Sequence, residues 1–207
     1  MIQGDLFAQF NGPPSAPPAL RRRPSPSMPP TDRLFLAIFA GEAGERIHRC
    51  ALELCAQHGL NGRPLAPDRL HVTLFHLGDY VGEAPPEIVA AAVGAGDAVK
   101  ASPFAVSFDR AVSFRRQRKA PLVLRGSGDN ASLMAFHRDV GAAMTQVGLA
   151  QWMNPRFTPH VTLLYDDRNV AEQPAEPVSW TVREFVLIRS LLGQTRHIPL
   201  KRWPLRG

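Results

Sequence analysis

The tetrapeptide His-Val-Thr-Leu occurs twice, at 71–74 and 160–163, and each copy closes a segment of the same design. In the first, the β-rich stretch RLFLAIF (33–39) precedes Ile47, Cys50, Ala51, Leu54 and Cys55, whose spacing draws one helical stripe. Gly59 is placed to stop that helix, and RLHVTLFHLG (69–78) reads as the next strand. In the second, PLVLRG (121–126) leads to a helix that Asp129 or Asn130 can cap, with apolar positions Leu133, Phe136, Val140, Met144 and Val147. Gly148 can end it, and FTPHVTLLY (157–165) follows as a strand. Phe35 to His71 and Leu124 to His160 are both 36 residues apart. The chain therefore reads as an internal duplication, with a period of 89 residues that is far too long for a solenoid.

Alternation along a strand puts His71 and Thr73 on one face and Val72 and Leu74 on the other; the same holds for His160 and Thr162 against Val161 and Leu163. The apolar pair anchors each strand in a core and leaves an imidazole beside a hydroxyl on the opposite face. One such tetrapeptide is ordinary strand sequence. Two at matching places in related halves can line one cleft with two histidines and two threonines. Paired imidazoles suit phosphoryl chemistry, one taking a proton from an attacking water and the other protonating the departing oxygen. An ordinary pKa near 6.5 lets both protonation states coexist close to neutral pH. The hydroxyls can donate to non-bridging phosphate oxygens, and the design requires no metal or cofactor.

The remaining segments fill out the frame. PPEIVAAAVGAGDAVK (85–100) reads as a glycine-weakened helix, FAVSFDRAVSF (104–114) as one or two short strands, WTVREFVLIRSLL (180–192) as one strong strand, and HIPLKRWPL (197–205) as a last strand. The fold class expected is α+β: two antiparallel sheets, one per lobe, facing each other across a central cleft with helices on the outer faces. Residues 1–31 stand apart, holding eight of the twenty prolines and the triplet Arg21-Arg22-Arg23. They read as a disordered tail, and 32–207 as the two-lobed domain. Cys50 and Cys55 lie five apart on a helix, which suggests neither a disulfide nor a metal pair and points to a reducing compartment. With no secretory start and no long apolar run, the expected location is cytoplasmic and the expected state a monomer.

Several stretches together resemble the 2H phosphoesterase superfamily, within it the RNA 2',3'-cyclic phosphodiesterases also called 2'-5' RNA ligases. These are RLFLAI, LHVTLFHLGD, RFTPHVTLLY and FVLIRSLLGQTRHIPLKRWPL, covering about 32–205. The Pro-rich tail is not part of that pattern, and His197 stands where the family commonly has a tyrosine. The resemblance implies hydrolysis of a 2',3'-cyclic phosphate to a 2'-phosphomonoester, with His71 as proton donor, His160 as proton acceptor, and Thr73 and Thr162 cradling the phosphate. It also implies the reverse joining of a 5'-hydroxyl to a cyclic phosphate through a 2'-5' bond.

A net charge of +6 favours a polyanionic partner, here RNA or a nucleotide with a cyclic phosphate end. Arg156, just before the second motif, and Arg115 and Arg116 in FRRQRKAP are candidate backbone contacts. Alternation gives Phe75 the same face as His71, where it could stack on a base or else belong to the core, and turns His76 away from the cleft. His48, His58 and His137 fall on helices and read as structural or exposed. The rival readings are a phosphodiesterase for a small cyclic nucleotide or a 2'-5' oligonucleotide, and a non-catalytic RNA-end binding module.

Overall fold

The duplicated segment folds twice, and each copy forms one side of its own sheet. The computed structural model describes residues 28–115, 118–128, 130–154 and 156–206. The expected tail thus lies almost wholly outside the described residues. In chain order the elements are β1 (Asp32–Phe39), α1 (Gly44–His58), β2 (His71–Tyr80), α2 (Pro86–Ala98), β3 (Phe104–Ser113), β4 (Ala120–Arg125), α3 (Ala131–Gln146), β5 (His160–Asp166), β6 (Gln173–Val182), β7 (Glu184–Leu191) and β8 (Arg196–Pro204). One antiparallel sheet runs β2-β1-β7-β8 and the other β5-β4-β3-β6. The two motif strands hold equivalent edge positions, each beside the first strand of its own repeat, as the duplication requires.

α1 forms where the stripe predicts. Ile47, Cys50, Ala51 and Leu54 are buried, Cys55 is half-buried, and Gly59 terminates the helix in the left-handed region at φ 59°. α3 departs from expectation at both ends. Asn130 holds the N-cap position, but its side chain does not cap the helix: Nδ2 donates to the Ser107 carbonyl (2.9 Å) and Oδ1 accepts from Ser107 N–H (3.0 Å), tying the helix start to β3. Asp129 lies outside the described residues. The apolar stripe stops at Met144, and Val147, one residue past the helix, is 37% exposed.

Of two further expectations, one holds and one needs correction. Residues 104–113 make a single strand, the first of the two arrangements expected there. Residues 180–192 are not one strand. The chain leaves the second sheet at the end of β6 and enters the first at β7, with Arg183 as the junction, where its carbonyl accepts from Leu205 N–H at 2.7 Å. The first half of β6, with Pro174 and Pro177, pairs on one side only, which is where proline is tolerated in a sheet.

One irregularity governs the site. In the β1–β2 ladder, Leu36 faces Phe75 and Ala37 faces Thr73, so Leu74 is left over as a bulge. In the β4–β5 ladder, Leu122 faces Leu164 and Val123 faces Thr162, so Leu163 is left over. Both extra residues are the leucine of the repeated tetrapeptide, and each resets the alternation beyond it. From His71 and from His160 the burial runs identically: half-buried, buried, half-buried, buried, buried, exposed, buried.

Candidate active site

Each motif histidine opens its strand, and the segment before it fixes the ring. His71 Nδ1 donates to the carbonyl of Arg69 (2.7 Å), and His160 Nδ1 donates to the carbonyl of Thr158 (2.7 Å). A carbonyl can only accept, so in both rings Nδ1 carries hydrogen and Nε2 is the nitrogen left for the cleft. This carbonyl two residues upstream is the local device that the duplication preserves.

The surroundings of the two rings differ. His71 stacks on Phe35 (centroids 5.1 Å, 24°), leans on Phe39 (5.6 Å) and meets the ring of His197 edge-on (5.3 Å, 76°). His160 meets Phe114 edge-on at 4.8 Å. Burial pushes His71 down to about 4, against the opposing bond to the Arg69 carbonyl, and the charges of Arg69 and His160 press the same way as burial. Burial also lowers His160, opposed by its bond to Thr158. Burial pushes His197 down to about 4, with His71 and Arg69 adding to the fall.

Two adjoining cavities open between the sheets. One, of about 440 Å³, is lined by His71, Thr73, Thr162, Arg69, Tyr165 and His197 among others. The other, of about 740 Å³, is lined by His160, Phe114, Arg125, Trp152, Arg156 and Phe157 among others. Thr73 and His76 line both, so the cavities meet there and together bring all four motif side chains to one cleft. This grouping can bind an anion between hydroxyls and imidazoles and can supply both a proton donor and an acceptor.

The remaining expected residues divide. Arg156 lines the larger cavity and is exposed; Arg115 is exposed beside Phe114, and Arg116 lies outside the described residues. Phe75 is corrected. The bulge turns it into the core at 2% exposure, where its ring stacks on His137 (4.2 Å), which stacks in turn on Phe157 (3.8 Å). That aromatic stack supports the floor of the larger cavity, which Phe75 lines from within the core. His76 is corrected in the opposite sense. The same bulge brings it onto the cleft face, where its Nε2 bonds Asp79 (2.8 Å), itself held by Arg33 through two bonds of 2.7 and 2.8 Å. Tyr165, the counterpart of His76 in the second motif, also lines the cleft and is 48% exposed. Both residues escape a strict alternation reading. The signal available is the paired apolar residues, Leu74-Phe75 and Leu163-Leu164, each followed by a polar ring. Arg69 escapes as well, because no local pattern marks it.

A model of the 2'-5' RNA ligase superfamily matches residues 39–194. The chain is 33% identical over 148 residues to the RNA 2',3'-cyclic phosphodiesterase of Escherichia coli strain K12, covering 70% of this chain and 80% of that protein. The crystal structure of E. coli LigT complexed with 3'-AMP superposes with a TM-score of 0.66 at 30% identity, covering 86% of this chain and 99% of that one. TT0787 of Thermus thermophilus, at 22% identity, shares the fold with a TM-score of 0.65 over 84% of this chain and 98% of its own. Among the described residues no helix is long and apolar enough to cross a membrane.

Proposed function

From the premise that this chain belongs to the 2'-5' RNA ligase superfamily, we propose that it hydrolyses 2',3'-cyclic phosphate ends of RNA to 2'-phosphomonoesters. The observation that carries this reading is the matched pair of histidines, each with Nδ1 tied to a carbonyl two residues upstream and each lining the shared cleft.

The chemistry follows from the tautomers. A water oxygen attacks phosphorus and its proton passes to His160 Nε2, the unprotonated nitrogen of that ring. The P–O3' bond breaks, and His71, protonated on Nε2, gives its proton to O3'. Phosphorus keeps its bond to O2', so the product is the 2'-phosphate. Thr73 and Thr162 donate to the non-bridging oxygens as charge gathers on them. A free enzyme near pH 7 has a largely neutral His71, given its depressed proton affinity. The negative phosphodiester raises that affinity on binding, so substrate loads the acid that it then uses. With the 5'-hydroxyl of a second RNA in place of the water, the same steps join it to the cyclic phosphate as a 2'-5' bond: its proton passes to His160 and O3' leaves with the proton from His71. Arg69, Arg125 and Arg156 supply positive charge around the anion.

The test is product analysis on an oligoribonucleotide ending in a 2',3'-cyclic phosphate, beside a 2',3'-cyclic mononucleotide. The reading expects a 2'-phosphate end and faster turnover of the oligomer. Turnover of the mononucleotide alone would move the substrate class to small cyclic nucleotides. Tight binding without turnover would make the chain an RNA-end binding module.

A further inference from the structure

The two halves of the site agree in how they hold Nδ1 and disagree in what stands behind the ring. Behind His160 is a phenyl ring, Phe114. Behind His71 is a second imidazole, His197, reached from β8 at the far edge of the sheet. Arg69 addresses both: its carbonyl accepts from His71 Nδ1, and its guanidinium Nη2 donates to His197 Nε2 at 3.3 Å. His197 Nε2 can accept only if the ring is neutral there, so its hydrogen sits on Nδ1. That Nδ1 and Arg69 Nε are both buried with no hydrogen-bond partner among the described residues. Leaving buried donors unpartnered works against stability, so stability alone does not account for the arrangement.

We propose that His197 is a positioning residue: as a neutral acceptor it holds the Arg69 guanidinium beside His71, whereas Arg125, the arginine opposite His160 in the ladder, pairs with Glu172. The proposal rests on the two-histidine reading above. A cation next to an imidazolium favours release of its proton, here toward the leaving oxygen, so the contact makes unequal partners of two rings that the duplication would leave alike. Arg69 and His197 also wall off an outer cavity of about 710 Å³, which carries the carboxylates of Glu42, Glu45, Asp68 and Glu184. Glu42, Glu45 and Asp68 are thus alternative partners on the outer side of the guanidinium, and the His197 acceptor holds it from the cleft side. Arg196 and Arg202 line the same cavity, Arg202 already paired with Glu184. On the cleft side the other groups facing His71 are Arg33, which is committed to Asp79, with His76, Tyr165 and His160.

The test follows the His71 imidazole by ¹⁵N-resolved NMR titration in the full-length protein, alongside steady-state kinetics on a cyclic-phosphate-ended oligomer. In His197→Phe the ring is kept and the acceptor lost, so the guanidinium turns to the outer acids. The His71 midpoint then rises by about one pH unit, and kcat falls about tenfold with KM little changed. His197→Gln, which keeps an acceptor, restores both. Arg69→Met removes the cation itself and raises the midpoint as His197→Phe does, which keeps the inference testable if that variant folds poorly. An unmoved midpoint with wild-type kcat in His197→Phe overturns the inference and leaves His197 a wall. Wild-type protein with no turnover, but with the midpoint shift intact, overturns the proposed function instead.

Discussion

At the scale of single residues, the account rests on two rings whose tautomers are set by backbone carbonyls rather than by acidic side chains. Replacing either His71 or His160 by alanine is expected to lower kcat about 10²- to 10⁴-fold, with Thr73→Val and Thr162→Val losing less; single-turnover assays measure this. A second expectation concerns stability. His71 and His197 fall from the ordinary 6.5 to about 4 in the folded chain. Between those values the unfolded chain binds protons that the folded chain refuses, so stability drops as pH is lowered through that window and is regained above it. Urea denaturation at pH 7.5 and pH 5 should show this loss, and a smaller loss in His197→Gln, which has one fewer ring to charge. The motif residues were legible because they recur in two matched segments. His76 and Tyr165 were not, since their placement depends on a ladder register that no single strand reveals. Arg69 and His197 were not either, because their contact joins residues 128 apart in the chain.

At the scale of elements, two features that look weak in the sequence turn out to be packing requirements. α2 carries glycines that lower its helix propensity, yet a Cβ on Gly96 would lie 2.3 Å from Trp203 Cζ2. Trp203 is itself stacked on Phe185 (4.7 Å) and donates to Asp97 (2.7 Å). Gly96→Ala should therefore destabilise by about 1–3 kcal/mol, although the same change in an open helix stabilises; thermal unfolding decides. Asp166, at the end of β5, accepts backbone N–H bonds from Asn61 (2.6 Å), Gly62 (2.6 Å) and Arg168 (2.8 Å), fastening the loop after α1 to the second motif strand. These bonds, that of Arg168 foremost, hold its carboxyl below the usual range. Asp166→Ala strands three amides and should cost on the order of 3 kcal/mol. Helix α1 was readable from periodicity and strand β1 from its β-rich run. The break at Arg183 was not, because a strand that changes sheets keeps its apolar pattern through the junction.

At the scale of the whole molecule, the pseudo-twofold arrangement is what turns two commonplace tetrapeptides into one site: neither sheet alone presents a proton donor and an acceptor to the same anion. The duplication and the α+β class are therefore visible in the order of residues alone, whereas the inequality of the halves emerges only when β8 brings His197 against Arg69. The two-histidine chemistry supplies its own acid and base, so turnover should persist in a chelator; an assay with and without one measures this. The most direct measurement is the product and rate on an RNA ending in a 2',3'-cyclic phosphate, for the wild type, His71→Ala, His160→Ala and the double variant. The account predicts a 2'-phosphate end from the wild type, a loss of about 10²-fold or more in each single variant, and a double variant scarcely worse than either, because the two rings act as a unit. Full wild-type turnover in either single variant would contradict it.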